Sequence, residues 1–339
     1  ATEALVLAQQ ANSNISAVTS VRSIARLWGG MGCIERWTCQ QNNGDNASST
    51  TSEVTLIAKQ INCRNPTSFG DRRKASSYDV EANFYARHAL LLTDICCQGL
   101  HVEKSSLSSE QTKDCRITII MSPLPNPTLY NISGPTSDAA LRSVARLHAH
   151  YWGEERSSKA VTEGGLAPQG TYWYLDTRPD EHDNLSPRGL EGQLKQKAHV
   201  LDQKLKQHAY QTIVHGDLKA CNMSLANDPR YVTLVDFQYA GRSCCAKDLA
   251  YLFVCGMDIE DEATFEQGQE RAYLQLYIAE LQARGVADHE APNLEELGKA
   301  LDLAYCDLYR WMCGWGIWGN SFFLEARVQR VLDSITTED

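Results

Sequence analysis

Three prolines, Pro123, Pro125 and Pro127, fall within the first six residues of the segment SPLPNPTLYNISGP at positions 122–135. Each proline removes a backbone donor and fixes φ, so no helix or central strand continues through such a run. The chain has to change its structural plan here. On the N-terminal side, after a helix-compatible start, VRSIARLW and CIERWTC flank Gly29-Gly30-Met31-Gly32; the polar stretch QNNGDNASSTTSE and the run VTLIAKQI follow. These alternating, β-rich runs predict a small antiparallel sheet. Residues 76–92, SSYDVEANFYARHALLL, open on Ser and Asp cap candidates and place Val80, Phe84 and Leu91 at helical intervals, which predicts one helix before the last strand, CRITIIMS.

Beyond the prolines the pattern becomes helical. LRSVARLHAHYW sets Leu141, Val144, Ala145, His148 and Trp152 on one face, and residues 188–209 repeat the spacing through Leu190, Leu194, Leu201 and Leu205. Residues 153–187, rich in Gly, Pro and charge, show no clear period and read as an excursion long enough to cover a substrate. The expectation is an α+β chain in two lobes. Residues 1–122 form a small sheet lobe with one key helix, and residues 123–339 a larger, mainly helical lobe.

A net charge of -10, from 32 basic and 42 acidic residues, disfavours nucleic acid and anionic membrane surfaces as partners. No window approaches the roughly 18 apolar residues of a membrane span. The twelve cysteines are diluted in a long chain and include the adjacent pairs Cys96-Cys97 and Cys244-Cys245, without paired zinc spacing, so they read as reduced thiols. Reduced thiols and the absence of a signal-like start point to the cytoplasm.

The strongest chemical signal is VHGDLKACN at 214–222, followed by the strand-and-turn pattern VTLVDFQ at 232–238. Moving a γ-phosphoryl group from ATP needs a carboxylate to take the proton of the attacking hydroxyl and oxygen ligands to hold Mg2+ on the phosphates. Asp217 suits the first task. Asn222, five residues on, and Asp236, at the end of the second apolar run, suit the second. Lys219 is placed to neutralise charge developing on the transferred group. His215 reads as a packing and hydrogen-bonding residue that fixes the backbone aiming Asp217, and His148 as a core histidine. Upstream, Lys59 ends the β-rich run TLIAK, where a lysine can contact the α- and β-phosphates, with Glu81 on the next helix as its ion-pair partner. Gly29, Gly30 and Gly32 could let the backbone pass close over phosphates, although GGMG is also an ordinary hairpin turn.

Together IAK at 57–59, Glu81 in VEANFYAR, ARLHAHYW at 145–152, VHGDLKACN and VDFQYAGRSCCAKDLAYL at 235–252 resemble the aminoglycoside phosphotransferase and choline kinase superfamily, in particular its ecdysteroid-kinase-like branch. The resemblance spans most of the chain. It implies a protein-kinase-like fold, Asp248 steadying the catalytic loop from a helix start, and a hinge in ITIIMSPL whose Met121, Ser122 and Leu124 contact adenine. The hinge reads MSPL where many relatives carry an acidic pair, and the glycine loop is irregular. No peptide platform is visible between Asp236 and Asp248.

The sequence therefore predicts a small-molecule kinase with a hydroxyl acceptor; a nucleotide-binding module without turnover is the alternative from another class. For the acceptor, YCDLYRWMCGWGIWGN brings Trp311, Trp315 and Trp318 to one helical face. Such a stripe can be core, or an aromatic box for a choline- or ethanolamine-type amine helped by Asp302 or Asp307.

Overall fold

The computed structural model describes residues 2–43, 50–63, 66, 68–109, 112–259 and 261–334. Part of the polar stretch after the second predicted strand, residues 44–49, lies outside these. Two compact units divide the chain after Leu124, within the proline-dense segment.

The first unit opens with helix α1 (Thr2–Ala11) and contains strands β1 (Ile15–Arg26), β2 (Gly32–Asn43), β3 (Thr50–Cys63), β4 (Gly99–Ser109) and β5 (Thr112–Met121), with helix α2 (Phe69–Arg87) between β3 and β4. The strands make one antiparallel sheet in the order β1-β2-β3-β5-β4. One face is sealed by α1: Leu7 and Ala8 join Trp37, Cys39, Leu56, Ala58 and Ile120 in a single buried cluster. Because side chains alternate along a strand, Lys59 points to the other face, level with Ile119 across the β3–β5 ladder, where α2 lies.

Two local expectations change. Helix α2 starts at Phe69, not near Ser76, because the Ser68 side chain accepts the backbone N–H of Asp71 and caps the helix there. It ends at Arg87, with His88 as its C-cap, and Ala89–Leu91 tighten into a 3-10 turn. Strand β4, GLHVEKSSLSS, was not signalled, since its apolar content is low; its partner β5 supplies the ladder that makes it a strand.

The second unit holds helices α3 (Pro135–His150), α4 (Glu154–Thr162), α5 (Pro179–Asp183) and α6 (Gly189–Lys206), and the short strands β6 (Gln211–Val214), β7 (Met223–Leu225), β8 (Val232–Leu234) and β9 (Gly241–Cys244). Helices α7 (Ala246–Tyr251), α8 (Glu262–Thr264), α9 (Glu270–Ala283), α10 (Leu294–Trp315) and α11 (Leu324–Ser334) complete it. The strands pair β6 with β9 and β7 with β8, both antiparallel. Helix α10 is the spine: Leu297, Leu301, Ala304, Leu308 and Trp311, spaced at three and four residues, are buried against its neighbours α6, α7 and α11. It starts at a capping box in which Asn293 and Glu296 satisfy each other's backbone N–H. The aperiodic segment 153–187 is not a bare loop, for it carries α4, α5 and a 3-10 turn at Leu175–Thr177.

Candidate active site

In the second unit the chain leaves β6, turns through residues 215–222 and re-enters at β7, so Asp217 and Asn222 stand in the turn that joins the β6–β9 ladder to the β7–β8 ladder. Asp236 lies two residues after the end of β8. The β7–β8 pairing and the bond from Val235 N–H to the Asn222 carbonyl (3.0 Å) bring the two motifs side by side.

The turn is held from below by Asp248, in the first turn of α7. Its two carboxylate oxygens accept the backbone N–H groups of His215 (2.6 Å) and Gly216 (2.9 Å), and His148 Nε2 lies 3.1 Å away. His148 is fully buried, with Nδ1 2.7 Å from the Tyr277 hydroxyl. Gly216 sits at φ +84°, and a Cβ there would come within 2.6 Å of the Tyr239 carbonyl oxygen, so the HGD turn admits only glycine at its centre. His215 is buried against Phe237; its Nε2 donates to the Val235 carbonyl (3.0 Å) and its Nδ1 accepts the Asp217 N–H (3.3 Å). One imidazole thus ties the turn to the strand end that carries Asp236.

Asp217 itself is 3% exposed. Its Oδ2 accepts from Lys219 Nζ (2.8 Å) and from Asn222 Nδ2 (3.1 Å), which also donates to the Asp217 carbonyl (2.9 Å). Its Oδ1 is buried and has no hydrogen-bond partner among the described residues. A carboxylate with one oxygen anchored and the other bare is oriented to accept a proton on the bare oxygen. Burial opposes the charge of Lys219 most strongly, yet the Asp217 and Asp236 carboxylates outweigh it, so the ammonium's pKa is raised and it stays charged.

Asp236 adopts φ +69°, one of two non-glycine residues with positive φ among those described. Such a backbone costs of order 1 kcal/mol or more and is held only where surrounding contacts enforce it. Its Oδ1 accepts a short hydrogen bond from Gln238. Asn222 gives its amide N–H groups to Asp217, and its Oδ1 accepts a weak hydrogen bond from the Cys221 thiol (3.7 Å); that Oδ1 and the Asp236 carboxylate are hard oxygen donors whose chemistry fits Mg2+.

Around Asp217 the same unit gathers phenols that the sequence did not single out. The hydroxyls of Tyr172 and Tyr251 lie 2.7 Å apart. Burial and then the Asp217 charge push both phenols, and the Cys255 thiol, well above their ordinary pKa values. Tyr172 comes from the segment before α5, far from the motifs in sequence, which is why spacing gives no sign of it.

The tryptophans differ from expectation. Helix α10 ends at Trp315, capped by Gly316 at φ +147°, so Trp318 lies beyond the helix instead of on its face. It still meets Trp311 edge-on at 5.0 Å, while Trp315 stacks on Trp311 at 6.4 Å and is 55% exposed. Asp307, expected among the acceptor contacts, is fully buried: its oxygens bind Lys247 (2.9 Å) and Arg310 (2.8 Å) inside the helical core. Asp302 is paired with Arg327 (2.6 Å).

In the first unit, Lys59 Nζ lies 2.6 and 2.8 Å from the two Glu81 oxygens, and both side chains are buried. Of the expected phosphate-loop glycines, Gly29 and Gly30 adopt φ +71° at the β1–β2 hairpin tip with open space where a Cβ would stand. Gly32 has an internal reason to be glycine, because a Cβ there would sit 1.9 Å from the Gln60 carbonyl oxygen on β3. Met121 ends β5, and Ser122 exchanges hydrogen bonds with Gln98, its N–H to the Gln98 carbonyl and its Oγ from the Gln98 N–H, each 3.0 Å. Leu124 closes the unit.

Residues 104–286 match the family described as the phosphotransferase enzyme family. Among solved structures, a Ralstonia eutropha protein assigned as an aminoglycoside phosphotransferase superposes over 98% of this chain and 96% of its own at TM-score 0.51 and 13% identity. Plasmodium vivax ethanolamine kinase is 12% identical, over 96% of this chain and 85% of its own, at TM-score 0.46. Comparison with curated proteins finds no match. The first likeness gives the fold, which is protein-kinase-like.

Proposed function

Because the chain belongs to the phosphotransferase enzyme family, we propose that it transfers the γ-phosphoryl group of ATP to a hydroxyl of a small metabolite. The observation that carries this reading is Asp217, with Oδ2 anchored by Lys219 and Asn222 and Oδ1 buried and unpartnered. In the reaction the acceptor oxygen forms a bond to the γ-phosphorus, the bond from that phosphorus to the β-bridging oxygen breaks, and the hydroxyl proton passes to Asp217 Oδ1. Lys219, kept charged by its two carboxylate neighbours, balances the charge on the transferred group. Asn222 and Asp236 would hold Mg2+, which when bound neutralises and orients the phosphates. Lys59, fixed by Glu81, is assigned to the α- and β-phosphates, the hairpin backbone at Gly29, Gly30 and Gly32 to passing close over the phosphates, and Met121, Ser122 and Leu124 to the adenine.

No helix among the described residues is long and apolar enough to cross a membrane. A freely diffusing acceptor in the cytoplasm suits this reading. Asp217→Asn tests it: with the general base removed, turnover should fall about a hundredfold to ten-thousandfold while nucleotide still binds. Unaltered turnover in that variant would overturn the assignment.

A further inference from the structure

The aromatic cluster beside the proposed base already contains a cation. The Arg178 guanidinium lies 5.2 Å from the Tyr172 ring centroid, 5.6 Å from Trp311 and 5.3 Å from Trp315. These are cation–π distances, and three rings around one positive group make the kind of cage that otherwise binds quaternary ammonium ligands. Arg178 is not a passing surface side chain. It is 7% exposed, its Nε donates to the Tyr172 carbonyl (2.7 Å), and its Nη1 donates to Glu181 (2.9 Å), which supplies the counter-charge. The cage adjoins the reacting end of the site: a Cβ on Gly216, the residue before Asp217, would stand 2.8 Å from the backbone N of Thr171, the residue before Tyr172, and the Tyr172 hydroxyl meets that of Tyr251 at 2.7 Å.

We infer that Arg178 is the specificity-determining residue of the acceptor side: its guanidinium fills the cage of Tyr172, Trp311 and Trp315 and excludes acceptors that carry a quaternary ammonium headgroup. A free cation entering here would meet rings whose negative faces are already engaged and a fixed like charge at contact distance. The segment that presents Arg178, just before α5, thus sets which acceptors Asp217 can reach. The assignment of this cage to the acceptor side rests on the proposed role of Asp217, whereas its occupancy by Arg178 does not.

Calorimetric titration of the full chain with tetramethylammonium, without nucleotide, tests the inference on the wild type, Arg178→Ala and Arg178→Lys. The wild type and Arg178→Lys, which keeps a cation in the cage, should show no saturable binding in the millimolar range. Arg178→Ala should bind at least about tenfold more tightly, about 1.4 kcal/mol, within the range of a desolvated cation–π site. Arg178→Gln, which can still donate to the Tyr172 carbonyl, should show the same gain and serves if Arg178→Ala melts early. Equal binding by the wild type and the charge-removing variants, or none by a folded charge-removing variant, would overturn the role of Arg178. Failure of the wild type to transfer phosphoryl groups would instead count against the proposed function alone, since tetramethylammonium binding is read without turnover.

Discussion

Asp217 is useful because its two oxygens are not equivalent. Lys219 and Asn222 hold one, and the other is buried and bare. Asn222 orients Asp217 through its amide N–H groups, and its side-chain oxygen is the atom proposed as a ligand to Mg2+. Asp236 is held in a left-handed backbone with Gln238 on one oxygen, so its carboxylate has little freedom to swing. Replacing it by Asn keeps the shape and removes the charge that a divalent cation needs. Asp236→Asn should weaken Mg2+-nucleotide binding at least tenfold by calorimetry, with metal-free nucleotide binding little changed; equal Mg2+-dependent affinity would remove Asp236 from the proposed metal ligands. Asp217, Asn222 and Asp236 were legible in sequence because their spacing along one strand–turn–strand path is itself the geometry. Gln238 stood within the quoted motif, but only the fold shows what its amide binds. Tyr172 and Arg178 were not legible, since they reach the site through tertiary folding from an aperiodic segment. Asp307 misled for a related reason: a helical carboxylate near aromatics reads alike whether it faces a ligand or two buried cations.

Elements followed the sequence where period and caps agreed and departed where a single capping residue decided the boundary. Ser68 moved the start of α2, and Gly316 ended α10 before Trp318, although apolar spacing alone would carry both helices differently. Strand β4 belongs to a third class, for its polar sequence becomes a strand only by pairing with β5. Because α10 anchors the core on which Trp311 and Trp315 are mounted, its N-terminal capping box has reach beyond its own turn. Asn293→Ala should cost about 1 kcal/mol of stability. A lowered urea midpoint with an unchanged slope would match this cost; an unchanged midpoint would show that the box does not limit the helix.

At the scale of the whole molecule, the chain divides into two compact units after Leu124, within the proline-dense segment. Each unit keeps its own charge arrangement: buried Lys59 with buried Glu81 in the first, and buried Asp217 with half-exposed Lys219, beside the Asp248 anchor, in the second. In the second unit the buried, unpartnered Asp217 oxygen is costly to maintain, and its presence suits catalysis better than nucleotide binding alone. That distinction is what separates a working phosphotransferase from a binding module. It is tested most directly by incubating the full chain with γ-labelled ATP, Mg2+ and a fractionated small-molecule extract, then following the label. Label appearing in a small hydroxyl compound with the wild type and not with Asp217→Asn is the predicted result. Nucleotide binding without transfer to any fraction, or transfer that survives in Asp217→Asn, would contradict the account.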